Sequence, residues 1–298
     1  VSPGEHSNGT PAPSDPSPDY VLVGVVTQDL GPGGLVPGGT VSYAGLTAKS
    51  LGKSVGVVTS ASSDLALDQV LPGITVRRVP SAVTTTFENV YSNGRRQQWL
   101  RAVASPIDVS WVPPSWRRAP IVHLAPLAAE FGPDVALAAR SCRLLGVTPQ
   151  GWLRTWDARG FVRRTDWADA AEILPIVDVV VLSQEDLDGG LPACARLAES
   201  TRVLVATQGP LGCTVFEGTR SWQVPGFPTP EVDATGAGDV FAAAFLIRYL
   251  EQGHPLDAAR YANCVASFSV EAIGIGGIPT PEAVERRLAS QAGRTGGG

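Results

Sequence analysis

Asp233 to Asp239 reads Asp-Ala-Thr-Gly-Ala-Gly-Asp, a glycine-rich turn that ends on a carboxylate and runs straight into the apolar stretch Val240 to Leu250. Ala237, Phe241, Ala244, Phe245 and Leu246 recur at helical spacing, which predicts a helix starting at the turn. The N–H groups of Gly236, Ala237 and Gly238 would then lack partners within the helix. Such groups, with the positive end of the helix dipole, stabilise transferring phosphate oxygens. Glycine or alanine is needed there because bulk would block close approach. Asp239, in the first helical turn, should stay ionised and accept a proton from an attacking hydroxyl. Phosphoryl transfer suits this set, because it asks for positioning and charge neutralisation. A tight turn with Asp239 as a mere N-terminal helix charge is the plain alternative, since short glycine motifs recur by chance.

Further stretches fall in a telling order. Val23-Gly24 is followed by Asp29, a two-oxygen acceptor at a strand end that suits substrate hydroxyls, although a turn or capping aspartate fits too. Gly38-Gly39 either lets a substrate approach backbone or forms a turn. With Thr207-Gln208-Gly209, Gly212, Arg260-Tyr261-Ala262-Asn263 and Gly274, these stretches make the chain from Tyr20 to Leu288 resemble the ribokinase-like, or PfkB, family of sugar and nucleoside kinases.

The resemblance implies roles residue by residue. Asp239 would be the general base, and Gly236, Ala237 and Gly238 the cradle for the γ-phosphoryl. Asp29, Gly38 and Gly39 would hold the acceptor, with Tyr43 standing where ribose-directed members carry an asparagine. Ala125 stands where those members carry an acidic residue. Losing an amide and a carboxylate disfavours ribose. Gln150 to Arg154 offers an amide, the Trp152 ring and a guanidinium to another hydroxylated ligand, or is a surface loop with its Trp in the core. ATP is the implied donor. Thr207, Gly209, Gly212 and Asn263 would flank it, although Gln208-Gly209-Pro210 is also a good turn and a mid-helix Asn is commonly solvent-facing. The family's N-x-x-E pattern becomes Ser183 and Asp186, so Mg²⁺ would be met by Asp186 through water; a capping box competes. Asp233, Thr235 and the loop at Ala272 and Gly274 match a monovalent cation site suited to K⁺, against a helix simply ending at Gly274.

These residues need a scaffold. The runs Tyr20 to Thr27, Ser54 to Ser60, Ile121 to Ala125, Val177 to Ser183 and Arg202 to Thr207 are short, apolar and β-branched, as strands buried on both faces are. Helical stretches lie between several of them, at Val41 to Leu51, Asp134 to Leu145 and Pro192 to Ser200. The expected fold is α/β, a doubly wound, mostly parallel sheet sandwiched by helices, with ligands beyond the C-terminal strand ends. Thr84 to Val103, centred on Asn93-Gly94, predicts a β-hairpin, which the resemblance makes a small lid at about 83–103. The short link from Asp29 to Gly38 predicts a reduced lid, and so weakens the expectation of a homodimer. Residues 1–19, with five prolines, predict a disordered tail, 20–291 the kinase domain and 292–298 a flexible tail.

Bulk composition excludes several classes. A 298-residue chain that is 44% hydrophobic can bury a large core as one domain. A net charge of −5 without a basic block argues against nucleic acid or an anionic membrane as main partner. Cys142, Cys194, Cys213 and Cys264 form no C-x-x-C pair, and no apolar run nears the ~20 residues of a membrane helix, so a cytoplasmic protein is expected. His123, inside an apolar run, reads as a satisfied core residue. A dinucleotide oxidoreductase would need G-x-G-x-x-G after the first strand, where Gly24 is followed by Val25-Val26-Thr27. A nucleoside kinase or a catalytically weak ligand-binding relative stays open beside the sugar or cyclic polyol kinase.

Overall fold

The computed structural model describes residues 17–31, 34–92 and 95–295. In chain order the strands are β1 (Tyr20–Val23), β2 (Thr27–Gly31), β3 (Gly34–Gly38), β4 (Val55–Ala61), β5 (Thr75–Pro80), β6 (Thr85–Ser92), β7 (Arg95–Ala102), β8 (Ile121–Leu124), β9 (Leu144–Val147), β10 (Arg154–Trp156), β11 (Val162–Arg164), β12 (Val179–Ser183), β13 (Val203–Thr207), β14 (Cys213–Glu217) and β15 (Arg220–Val224). The helices are α1 (Thr40–Ser50), α2 (Leu67–Val70), α3 (Pro133–Ala139), α4 (Ala170–Ile173), α5 (Gly190–Ala198), α6 (Ala237–Gln252), α7 (Pro255–Ser269) and α8 (Pro281–Thr295).

Nine strands build the central sheet in the order β15-β14-β13-β12-β9-β8-β1-β4-β5. Pairing is parallel from β13 through β5, and β14 and β15 add an antiparallel edge. Strands β1, β4 and β8 are buried along their whole length, which is why they read as unbroken apolar runs. Two cores result. One packs α1, α6 and α7 on one face through Phe241, Phe245 and Tyr249; the other buries Trp116, Trp152 and Trp167 on the opposite face.

Three expectations change here. The run Tyr20 to Thr27 is not one strand: a side chain at Gly24 would come within 2.4 Å of the Ala125 carbonyl, and beyond this point the chain leaves the sheet and enters β2. The helix expected to reach Leu145 ends at Ala139, and Leu144 to Val147 form β9 because parallel pairing with β8 and β12 overrides local helical preference. The lid is not reduced. The link after Asp29 folds as strands β2 and β3, giving a four-stranded sheet in the order β3-β2-β6-β7, with β2 and β6 parallel and the other pairs antiparallel. Asp29 accordingly lies within a lid strand and not at the end of a core strand. The hairpin itself forms as expected, with Ser92 opposite Arg95; Asn93 and Gly94 lie outside the described residues.

Most of the tail expected over 1–19 lies outside the described residues, and its last part is anchored. Asp19 accepts hydrogen bonds from the Ser54 N–H and hydroxyl at 3.0 and 2.6 Å. These bonds hold the Asp19 carboxyl below the usual carboxylate range. Helix α8 continues to Thr295, and residues 296–298 are not described.

Candidate active site

A cleft of about 1050 Å³ opens where the C-terminal ends of the central strands meet the lid. Its walls bring together residues far apart in sequence. Asp29 and Phe87 come from the lid, Thr40 and Tyr43 from α1, Gln150 from the segment between β9 and β10, Arg154 from the first position of β10, and Gly236 to Asp239 from the start of α6. Ser183, Asp186, Thr207 and Gly209 lie along the same cleft, where β12 and β13 end.

The turn before α6 takes the form its glycines demand. Gly236 is left-handed, with φ 77°, and caps the helix. A side chain at Gly236 would lie 2.3 Å from the Tyr43 ring, so Tyr43 forms the floor under this turn. At Gly238 an added side chain meets nothing within 4 Å; the position faces open cleft. The Ala237 N–H is directed to the Ala234 carbonyl at 3.2 Å, a bond that competes with the part expected of it in a phosphate cradle.

Asp239 is half-buried, and burial pushes its carboxyl up to about 6. A hydrogen bond with the Thr40 hydroxyl and the Arg154 charge pull it down, and Asp186 pushes it further up. At neutral pH the group is ionised, as expected, but far closer to its titration point than the helix terminus alone would place it. A base poised near neutrality suits proton acceptance. Tyr43 is buried, and burial with the negative charges of Asp233, Asp239 and Asp29 pushes its phenol up to about 12. It stays neutral.

Several expected contacts have a different physical basis. Gly38 is buried beneath Asp29: a side chain there would sit 3.0 Å from the Asp29 carboxylate and 3.1 Å from the Thr27 hydroxyl. Gly39, with φ 91°, lines the cleft, and a side chain there would come within 2.7 Å of the Val25 carbonyl. Gly212 lies outside the cleft lining and is a packing glycine, since a side chain would come within 2.2 Å of the Val224 carbonyl. Asn263 lines the cleft, but its amide nitrogen donates to the Val224 and Pro225 carbonyls, both at 3.1 Å. That use ties α7 to β15 and competes with direct reading of a base.

Ser183 and Asp186 form the capping box that the spacing allows: the Ser183 N–H donates to Asp186 Oδ2 at 2.9 Å and the Glu185 N–H to the Ser183 hydroxyl at 3.1 Å. The box sits in the cleft wall, with Glu185 beside it. Thr207 Oγ1 donates to the Leu182 carbonyl at 3.4 Å. In the turn before α6, Asp233 Oδ1 accepts the Thr235 N–H at 2.9 Å and Oδ2 the Gly274 N–H at 3.0 Å. Burial opposes the charge there, but these two bonds outweigh it and hold the Asp233 carboxyl below the usual range. Thr235 lines the cleft, whereas Asp233, Ala272 and Gly274 are not part of its lining. Among the described residues no group of three His, Cys, Asp and Glu side chains is arranged to hold a metal.

Trp152 is a core residue: its indole N–H donates to the Phe131 carbonyl at 2.9 Å, and its ring stacks on Trp167 at 5.4 Å. Gln150 and Arg154 on either side reach the cleft. His123 is satisfied within the core by Tyr20 at 2.9 Å and Thr148 at 3.0 Å, and burial pushes it down to about 3. Two contributors escaped the sequence reading. Thr40 meets Asp239 only through the fold. The buried Glu130 carboxyl accepts N–H groups from Val25, Leu127 and Ala128 at 2.8–3.2 Å, knotting the chain before β2 to the loop after β8. Its one signal is a lone acidic residue within an apolar loop.

Residues 160–283 match the pfkB family carbohydrate kinase. The chain is 44% identical over 87 residues to the ribokinase of Bacillus subtilis, covering 28% of this chain and 29% of that protein. It is 31% identical over 179 residues to the ATP-dependent ribose-1-phosphate kinase of Halopiger xanaduensis, covering 59% and 56%. The matched stretch thus spans less than two thirds of either relative. In fold it is similar to a pyrophosphate-dependent kinase in the ribokinase family complexed with a pyrophosphate analog and myo-inositol, with TM-score 0.79, 23% identity, and coverage of 90% of this chain and 99% of that one.

Proposed function

We propose that the chain is a carbohydrate kinase of the PfkB family, which the match over residues 160–283 supports, and that it transfers the γ-phosphoryl group of ATP to a hydroxyl of a small sugar or cyclic polyol. The observation that supports this reading is the convergence of three features in the lining of one cleft: the poised Asp239, the open Gly238 and the half-buried Asp29 of the lid. Asp29 holds acceptor hydroxyls. As the acceptor oxygen forms its bond to the γ-phosphorus, its proton passes to Asp239 and the bond to the β-phosphate oxygen breaks, releasing ADP. The N–H groups at Gly236 and Gly238 take the charge on the transferring oxygens. Arg154, which acts on Asp239 electrostatically, adds positive charge at the same point.

Phe227, Ala266 and Val270 give the donor end apolar walls suited to a nucleoside. The carboxylates of Asp186 and Glu185 are hard oxygen ligands in that wall, so they would hold Mg²⁺ together with donor phosphates and water. The ion, when bound, neutralises phosphate charge. Asp233, Thr235, Ala272 and Gly274 would hold K⁺ behind the anion turn, where the Asp233 to Gly274 bond already joins the two loops. The four cysteines are free and burial raises their thiols, which fits a reducing cytoplasm.

The test is phosphorylation of ribose, myo-inositol and adenosine, with ATP and with pyrophosphate, in potassium and in a bulky organic cation at equal ionic strength. ATP-dependent transfer to myo-inositol or a related polyol, faster in potassium, is expected. Ribose with the highest kcat/KM would overturn the acceptor reading, transfer only from pyrophosphate the donor reading, and equal rates in both salts the cation site. No transfer to any acceptor would favour a ligand-binding relative.

A further inference from the structure

The donor end of the cleft is braced from outside by the C-terminal helix. Thr229 and Ser267 both line the cleft, one on the loop before α6 and the other on α7. Neither is held by its own element alone. The Thr229 hydroxyl donates to Glu271 Oε1. The Arg287 guanidinium on α8 donates to the Ser267 hydroxyl at 2.8 Å and to both Glu271 oxygens at 2.9 and 3.1 Å. It also lies 3.3 Å over the Phe268 ring. Backbone bonds stitch the same loop to the end of α7, since the Val232 and Asp233 N–H groups donate to the Val270 carbonyl at 2.7 and 3.2 Å. Those bonds hold the backbone; the Ser267 hydroxyl also donates to the Cys264 carbonyl at 2.7 Å within α7, and Arg287 and Glu271 supply the bonds that tie Thr229 and Ser267 to each other and to α8.

We propose that Arg287 is a positioning residue for the nucleoside of the phosphate donor, fixing Thr229 and Ser267 through Glu271 from a helix that does not itself reach the cleft. A planar guanidinium satisfies this geometry, because it bonds a carboxylate at two oxygens, a hydroxyl at a third point and a ring face at once. A lysine ammonium cannot. The proposal rests on ATP being the donor, and it separates nucleoside recognition from phosphate recognition: the hydrogen bonds of the brace run among Thr229, Ser267, Glu271 and Arg287 and do not include Gly236 or Gly238.

The experiment uses the full chain and the variants Arg287→Ala, Arg287→Lys and Glu271→Gln. It reads kcat, the KM of ATP, the KM of the acceptor, and inhibition by tripolyphosphate, a donor mimic without a nucleoside. Arg287→Ala should raise the KM of ATP about tenfold, the ratio that corresponds to ~1.4 kcal/mol. The acceptor KM, kcat at saturation and the tripolyphosphate inhibition constant should stay within about twofold, and Arg287→Lys should recover only part of the loss. Adding Glu271→Gln to Arg287→Ala should cost little more, because the two act as one unit. An unchanged KM for ATP, or an equal weakening of ATP and tripolyphosphate, would overturn the proposal. A proportional loss of every parameter, with a lowered melting temperature, would show a merely structural role and overturn it as well. An unaltered chain that uses pyrophosphate but not ATP would defeat the donor reading first, before any variant is compared.

Discussion

At Asp239 two tendencies oppose each other. The amino end of α6 favours the carboxylate, and burial beneath the lid disfavours it. Burial wins, with the pKa at about 6 against 3.8 for the free side chain. Because the folded value is raised, its contribution to stability is fully present below about pH 4 and is lost as pH rises through 6. Above that, keeping the charge costs on the order of 2 to 3 kcal/mol. Asp239→Asn should therefore raise the melting temperature at pH 7.5 by about 5 °C and leave it unchanged near pH 3.5. The same variant should lower kcat by about a hundredfold or more while the thermal shift given by ATP persists. The unaltered enzyme should lose kcat/KM below a pKa near 6. Melting curves at both pH values decide the first point; a variant equally stable or less stable at pH 7.5 would mean that Asp239 is not under strain. The motif carrying Asp239 was legible in the sequence because its turn, base and helix are contiguous. The pKa was not, since Thr40, Arg154 and Asp186 reach it only through tertiary structure.

The elements that carry the site show the same division. Strands β1, β4, β8, β12 and β13 were legible because burial on both faces writes an unbroken β-branched run. Strands β2 and β3 were not, because the lid strands are polar on the face toward the cleft and rich in Gly and Pro, and only pairing with β6 makes them a sheet. Gly212 and Asn263 were likewise read as donor contacts, whereas their partners on β15 and the residue after it could not be inferred from sequence spacing. Glu130 is the clearest case of an element held by one side chain. Its oxygens take three backbone N–H groups that an amide could not all satisfy, as Gln supplies one acceptor oxygen and adds two donors. Burial raises the Glu130 pKa, yet leaving backbone donors unpaired costs ~1–3 kcal/mol each, so the loss should dominate. Glu130→Gln is expected to destabilise the protein by about 2 to 4 kcal/mol in urea unfolding. A neutral result would show that the loops after β1 and β8 are held by packing alone.

Across the whole molecule, the acceptor and donor ends belong to different bodies. Asp29 sits on lid strand β2, while Asp239, Thr229 and Ser267 sit on or beside the helices packed against the central sheet. The lid joins the core through the Val26 N–H to the Thr59 hydroxyl and the Leu100 N–H to the Gly160 carbonyl, both at 2.8 Å, and through Phe87 and Leu100, which are buried in the core on that face. Strand β3, exposed from Gly34 to Pro37, gives the lid a lower local opening energy than the doubly covered central sheet. A ligand protects what it touches, and it stabilises a segment only by its differential affinity for the closed form. An acceptor gripped by Asp29 should slow amide hydrogen exchange in β2 and β6, and ATP alone should slow it around Gly236 to Asp239 and at the end of α7. With a non-transferable ATP analogue and acceptor together, lid protection should exceed that from acceptor alone by about tenfold, because the phosphoryl group and the acceptor hydroxyl then meet across the cleft. Hydrogen exchange followed by mass spectrometry on the four states reads this directly. Lid protection that is as strong with ATP alone as with acceptor would move the acceptor site off Asp29, and would leave the core walls to hold both substrates.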